Sequence, residues 1–545
     1  MAQAVVIGAG VAGLATAALL AREGYDVTIY ERGDRVGGRA GWIEDAGFRF
    51  ETGPSWYLMP EVFDHYFRLL GTSAAEQLDL VRLDPGYRVY PEGQASVDVR
   101  SGLNEIRELV ESREPGGAAA IEDYLNSSDR AMDLAVKEFL YNTFSAPSSV
   151  INPRVLRSAP DIVRWLSTDL ASYAAKRFSD PVVRQLLGYS AVFLGTDPRK
   201  APAIYHLMNR MDLVEGVFYP QGGFTRVVSA LRELAEAEGV RIVLNAEVTE
   251  IGVVGGHAKG VRWRERVPDG AALPDGAAHL SQTGPVHKHV ADVVVSAADL
   301  HHTETQLLPT KYQTWPERAW KTTVPGPSGV IAMLGVEGEL DLPHHSLMLT
   351  RDWDTNFDSV FGGSQTPLPD PVSLYVCRPS ATDPDVAPSG MENLFVLIPT
   401  ASDVSLGGSG SPEVERIADA AIAQVAQWAG IPDLASRIRV RHTLGPADFA
   451  ANYHSWRGGI LGPAHLLKQS AMFRRGNASR KVRGLYYAGG TVSPGVGVPM
   501  CLISAELVIK HLRGDRSTGP LPEPLLPEPL LQSEPPIASP QENSP

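Results

Sequence analysis

The hexapeptide Gly8-Ala9-Gly10-Val11-Ala12-Gly13 lies between an apolar run, Ala4-Val5-Val6-Ile7, and a helical stretch from Leu14 to Glu23. No other feature constrains this chain as much. A short strand with no polar alternation is one buried on both faces, as in a parallel sheet covered by helices. A second apolar run, Val27 to Tyr30, follows Gly24 and ends at the acid Glu31. Strand, glycine turn, helix, strand and acid together make the βαβ unit that holds a dinucleotide. Gly8, Gly10 and Gly13 permit a tight turn and close approach of a pyrophosphate. The helix N-terminus supplies free N–H groups, and Glu31 can accept hydrogen bonds from an adenosine ribose.

That fingerprint alone does not separate NAD from FAD. The residues after it lean toward FAD. In Arg32-Gly33-Asp34-Arg35-Val36-Gly37-Gly38-Arg39, paired glycines allow a second close backbone approach, and Arg39 offers a planar fork for phosphate. The later Gly53-Pro54-Ser55-Trp56 loop suits a flat ring lying against it.

Composition excludes several classes. Of 545 residues, 43% are hydrophobic and 21% charged, which suffices for a large buried core. Lys and Arg number 49 against 63 Asp and Glu, a net charge of −14 with no segregated basic patch, so nucleic acid is not an expected partner. Cys377 and Cys501 are too few for a disulfide framework or a structural zinc site. The opening residues carry no basic region or cleavage signal, and no window approaches the ~20 apolar residues of a membrane helix. No GxSxG, HExxH or CxxC is present, and no metal is expected. His344-His345 is read as a non-site, because neighbours in a strand point to opposite faces.

Further along, Ile121–Leu140 and Pro160–Arg177 carry helical apolar spacing, with Asp180 capping a helix that begins at Pro181. A second α/β piece runs from Gly222-Gly223 through a helix to Glu238 and strands at Val240–Leu244 and Glu247–Val254. Residues 255–290 read as a hairpin with a long loop, followed by strand Asp292–Ala297. The region 300–440 mixes strands (Gly329–Val336, Val372–Cys377, Leu394–Pro399) with a helix over Glu413–Ala429. The chain returns to a strand at Leu485–Ala488, then Gly489-Gly490 and a last helix to Leu512. A Pro-rich tail, 513–545, is expected to be disordered.

The run Val5–Arg39 resembles the dinucleotide and Gly-Gly motifs of the FAD-dependent amine oxidase superfamily. Tyr486-Tyr487-Ala488-Gly489-Gly490-Thr491-Val492-Ser493-Pro494-Gly495-Val496-Gly497-Val498-Pro499-Met500 is similar to the closing signature of bacterial-type phytoene desaturases, although many relatives carry Thr-His at Val492-Ser493. Tyr219-to-Gly223, Ser296-to-Asp299, His344-His345 and Gly458-to-Arg474 match as well. The resemblance spans about residues 4–512.

It implies an α/β fold: a Rossmann-like FAD-binding domain of the amine oxidase type (1–100, 215–300, 440–512) interleaved with a mixed α+β, membrane-facing substrate domain (101–214, 301–439). It further implies FAD held by Gly8, Gly10, Gly13, Glu31, Arg32, Gly38, Arg39, Gly53, Pro54, Ser55, Val248, Gly489, Gly490, Gly497, Val498 and Met500. The start of the last helix would face the flavin where negative charge collects on reduction. The implied substrate is a hydrophobic polyene such as phytoene, taken to neurosporene or lycopene, with hydride leaving for the flavin and a proton leaving the next carbon to an unassigned base. Quinone or O2 is the implied electron acceptor. A cytoplasmic enzyme attached peripherally to a membrane through the 103–211 helices follows, because water does not carry such a hydrocarbon. Trp56, Tyr57, Phe193, Tyr205 and Phe218 are candidate tunnel residues. The alternatives are a carotenoid ketolase, oxygenase or isomerase, a flavoprotein amine oxidase, and a carrier that keeps FAD as a relic.

Overall fold

The computed structural model describes residues 1–146, 149, 151–272, 278–281, 284–363 and 366–527. The opening unit forms as the apolar pattern requires, with β1 (Gln3–Ile7), α1 (Val11–Arg22) and β2 (Asp26–Tyr30). β1 pairs in parallel with β2 and with Val293–Ser296. Leu485–Tyr487 and Arg241–Val243 complete a five-stranded, all-parallel sheet in the order Leu485–Tyr487, Val293–Ser296, β1, β2, Arg241–Val243. Three distant stretches of chain thus meet in one sheet. α1 packs against helices Gly223–Ala237 and Val498–Arg513, and the alanines and leucines of α1 are buried between them.

A seven-stranded sheet stands beside it, in the order Ile438–Leu444, Ser328–Glu337, Met391–Thr400, Leu374–Cys377, His345–Leu349, Tyr87–Pro91, Val97–Val99. All its neighbours are antiparallel except His345–Leu349 with Tyr87–Pro91. The strand Ser328–Glu337 is apolar along its length because both faces are covered. Val330, Ala332, Leu334 and Val336 pack under helix Pro412–Trp428, while Ile331 and Met333 join the core beneath the helix-rich segment 103–215.

Three expectations are corrected. Tyr87–Pro91 and Val97–Val99, assigned by the boundary at residue 100 to the dinucleotide domain, belong to the seven-stranded sheet, as does Ile438–Leu444. Pro160–Arg177 is two helices, Ala159–Leu166 and Leu170–Ala175, because Asp169 accepts the Ser172 N–H and starts a new helix. The tail is not disordered from residue 513: through Pro527 it lies on the dinucleotide lobe, with Leu521 and Leu525 only 4% and 1% exposed. Leu525 N donates to Leu69 O, and the fully buried Lys510 ammonium donates to the carbonyls of Tyr141, Ser517 and Gly519. Part of the 255–290 loop and residues 528–545 lie outside the described residues.

Candidate cofactor and substrate site

A cavity of about 1140 Å³ runs from the carboxyl ends of β1 and β2 to the face of the seven-stranded sheet. Of the expected residues, all but Gly13 line it, from Gly8, Gly10, Glu31 and Val248 at one end to Gly53, Pro54, Ser55 and Met500 further in.

The glycine turn is built for close packing. A Cβ on Gly13 would lie 1.9 Å from the Gly8 carbonyl oxygen, so this position pins α1 against β1 rather than touching a ligand. Gly10 caps α1 without a side chain, leaving the first-turn N–H groups open to the cavity. Glu31 reaches back over the turn: one carboxylate oxygen accepts the Ala9 N–H and the other the Gly33 N–H, both at 2.7 Å. Burial raises its pKa, against those two bonds. A carboxylate has about four acceptor sites, so two remain for a ribose diol.

The paired glycines sit tightly against this turn. Gly37 N donates to Ala9 O at 2.9 Å, and a Cβ on Gly38 would fall 3.2 Å from Gly10 Cα. Arg39 is held on the wall by Ser455 Oγ at 2.9 Å and Asp299 Oδ2 at 3.5 Å. Asp299 also caps helix Leu300–Gln306 by accepting the His301 N–H. Arg32 donates to the carbonyls of Ala451 and Asn452 and clips helix Pro446–Tyr453 to the end of β2.

The far end of the chain supplies a second helix N-terminus. Gly497, with φ of +120°, precedes helix Val498–Arg513, and Val498, Pro499 and Met500 open on the same cavity as α1. Gly489 N donates to Ser504 Oγ, and the buried Arg474 holds the carbonyls of Gly490 and Val492. Burial lowers the Arg474 pKa to about 10.

Beyond Ser55 the wall becomes largely apolar, with Phe139, Ile162, Phe193, Ile204, Leu347 and Phe361 among its residues. Trp56, Phe193 and Tyr205 line the cavity as foreseen; Tyr57 and Phe218 do not, Tyr57 being buried against Phe63 and Phe224. Asp197 and Asp358 hold the Arg199 guanidinium at 2.8 and 2.7 Å.

Two groups were not foreseen. Near Val248, Glu247 accepts from His454 at 3.3 Å, and His454 stacks on His302 at 3.9 Å, where burial pushes the His302 pKa down to about 3. Only the acid beside Val248, at the start of its strand, marks this end in sequence. The second group corrects the reading of His344-His345. The strand begins at His345, so the alternation of faces does not extend back to His344, and the two rings meet edge to face at 4.5 Å. One ligand-type atom each of His344, His345 and Cys377 lies within 4.8 Å of the others. Tyr375 Oη bonds both Ser55 Oγ and His345 Nδ1, each at 2.7 Å, while Trp56 stacks on the His345 ring.

The donor set fits FAD: a glycine cradle, a carboxylate with acceptor capacity left, two helix N-termini and then a broad apolar section. A parallel dinucleotide sheet joined to an apolar reaction chamber defines an FAD-dependent oxidoreductase. Comparison with known proteins narrows this. The chain belongs to the flavin containing amine oxidoreductase family, whose model matches residues 11–508. It is 38% identical to a carotenoid 3,4-desaturase of Haloarcula japonica over 511 residues, covering 94% of this chain and 98% of that protein. A zeta-carotene-forming phytoene desaturase of Myxococcus xanthus is 32% identical over 515 residues, 93% of each chain. Among solved structures, an oxidoreductase from Methanosarcina mazei covers 93% of this chain and 100% of its own, with a TM-score of 0.57 and 16% identity. A putrescine oxidase bound to putrescine covers 94% and 99%, with a TM-score of 0.56 and 15% identity. These structures show the shared fold.

Proposed function

We propose that the protein is a carotenoid desaturase acting on phytoene or a related acyclic polyene. The observation that carries this reading is the apolar half of the cavity, opening directly from the dinucleotide cradle. A polyene hydrocarbon offers nothing to hydrogen-bond, so shape and apolar contact must position it. The names of the relatives support the same class. When bound, FAD supplies the hydride acceptor. This chain's own residues do the rest: the glycine turns and Glu31 seat the dinucleotide, and the aromatic and aliphatic walls align one C–H bond and exclude water. Re-oxidation by a quinone or O2 completes the cycle.

A hydrocarbon must arrive from a bilayer. Among the described residues no helix is long and apolar enough to cross a membrane. Peripheral docking is supported by exposed Val163 and Phe473, 65% and 61% accessible, near the cavity-lining Ile162, Leu166, Leu467 and Met472.

The test is anaerobic incubation of FAD-loaded protein with liposomes containing phytoene or, separately, lycopene. Flavin bleaching with a product of longer conjugation supports the reading and identifies the substrate. No lengthened chromophore from either polyene overturns it.

A further inference from the structure

We propose that Ser55, Tyr375 and His345 form the proton-accepting relay of the desaturation, an inference that rests on the carotenoid-desaturase reading above. A desaturation removes two hydrogens, and only one leaves as hydride. The other leaves as a proton from the neighbouring carbon, inside a chamber whose walls are mostly hydrocarbon. Something at that wall must take it.

The Ser55–Tyr375–His345 chain has the required form. Ser55 follows the Gly53-Pro54 loop and lines the cavity, as does Tyr375; His345 stands behind them with no solvent exposure. The two links, Ser55 Oγ to Tyr375 Oη and Tyr375 Oη to His345 Nδ1, are both 2.7 Å, the ordinary length of a good hydroxyl hydrogen bond. The relay takes the neutral His345 tautomer with its hydrogen on Nε2, an atom without a partner among the described residues, which makes Nδ1 the acceptor. In that tautomer Tyr375 donates to Nδ1, and Ser55 is free to donate to Tyr375. The lone pairs of Ser55 Oγ are left for the cavity.

The rival groups are otherwise engaged. His465 also lines the cavity, but its Nδ1 faces the Leu194 carbonyl at 2.7 Å and its Nε2 faces the Arg474 guanidinium, whose positive charge opposes a proton there. His442 is turned to Asp45 at 2.9 Å, and the Tyr189 hydroxyl donates to the buried Asp212.

The step balances. With hydride gone to the flavin, the adjacent C–H bond breaks and its electron pair becomes the new C=C π bond. The proton forms an O–H bond at Ser55 Oγ, the original Ser55 proton passes to Tyr375 Oη, and the Tyr375 proton forms an N–H bond at His345 Nδ1. Both hydroxyls end as they began. The imidazolium lies under the Trp56 ring, 4.8 Å between centroids and 17° from parallel, a face that favours a cation. Burial holds the His345 pKa well below its ordinary value, so once the product has left, the proton runs back through Tyr375 and Ser55 to water entering the emptied cavity. Ser55 touches the substrate; Tyr375 and His345 act through it.

Two measurements test the relay. In FAD-loaded protein labelled with ¹⁵N-histidine, the His345 Nδ1 resonance should be that of an unprotonated acceptor and should move in Tyr375→Phe; a protonated Nδ1 overturns the proposal. In anaerobic single turnovers with polyene-loaded liposomes, Ser55→Ala and Tyr375→Phe should desaturate about 10²–10⁴-fold more slowly, the range for a lost general base. Both variants should still fill with FAD at saturating concentration, Ser55→Thr should recover most of the rate, and the solvent deuterium isotope effect of the parent should fall away in the two slow variants. Variants within threefold of the parent, or an isotope effect that persists, overturn the relay while leaving the desaturase reading intact. A parent protein that lengthens no polyene overturns both.

Discussion

Gly53 lies so close over Arg39 that a Cβ built on it would fall 2.0 Å from the Arg39 carbonyl oxygen. The Gly-Gly-Arg segment and the Gly-Pro loop are therefore one packed unit, although 13 positions separate the two residues in sequence. The obstructing atom is backbone and has no rotamer to give way. Gly53→Ala should cost about 1–3 kcal/mol of stability through overpacking and should displace the Pro54-Ser55 wall. Thermal denaturation and the yield of bound FAD check this; a variant with parental melting and parental flavin content would contradict it.

Glu31 braces the glycine turn through two backbone N–H groups before any ligand arrives. Removing the carboxylate leaves both donors short of a partner in a partly buried place. Glu31→Ala should weaken FAD binding by about 10- to 100-fold, the equivalent of one hydrogen bond to a charged group at about 1.5–3 kcal/mol. Glu31→Gln, which retains one carbonyl acceptor, should fall between the two. Fluorescence titration of apo-protein with FAD gives the ranking, and equal affinities across the three proteins would refute the role.

Asp212 is fully buried and accepts the hydroxyls of Tyr87 at 3.1 Å and Tyr189 at 2.7 Å. Burial raises its pKa from 3.8 to about 7. The folded protein therefore holds a proton that the unfolded chain has released, and the stability gained from Asp212 is lost as pH rises from 3.8 to about 7. Asn in its place has nothing to ionise. The stability of Asp212→Asn relative to the parent should climb from pH 5 to pH 7 with a slope approaching about 1.4 kcal/mol per unit, then level off. Melting temperatures of both proteins across that range decide it; parallel profiles would rule it out.

The dinucleotide half was legible because its signals are local. Strand, turn, helix and acid fall within the first 31 residues, and each reports its own burial. What escaped depends on distant partners. Nothing near Tyr87–Pro91 announces that it will pair in parallel with His345–Leu349. Nor does His344-His345 reveal that its strand starts one residue late. The tail misled through composition: proline excludes helix but not packing, and the apolar side chains between the prolines find a surface. His65 lies between Glu506 and Glu523 and fastens that strap. Leu525→Ala should accordingly cost about 2–5 kcal/mol, as for a buried leucine. Unchanged denaturant midpoints would show that the strap adds nothing.

The last prediction concerns how an oily substrate enters. Helix Ala159–Leu166 turns Val163 outward while its Ile162 and Leu166 line the cavity. This helix packs on the turn Ala203–Leu207, from which the Tyr205 hydroxyl reaches Ser470 Oγ at 2.8 Å. That bond ties in the segment carrying Leu467, Met472 and Phe473, which are 41%, 46% and 61% exposed. Exposed apolar side chains at a cavity rim cost solubility unless something covers them, and a bilayer would both cover them and supply the polyene. With a net charge of −14, attraction to acidic lipid gives no help, so the contact should be apolar and indifferent to salt. Val163→Glu combined with Phe473→Glu should abolish co-sedimentation with neutral phosphatidylcholine vesicles and slow turnover of vesicle-borne substrate. Val163→Glu alone should turn over detergent-solubilised substrate at the parental rate, because Val163 stands outside the cavity lining, of which Phe473 is a part. Equal vesicle binding by parent and variant at low and high salt would move the docking face elsewhere.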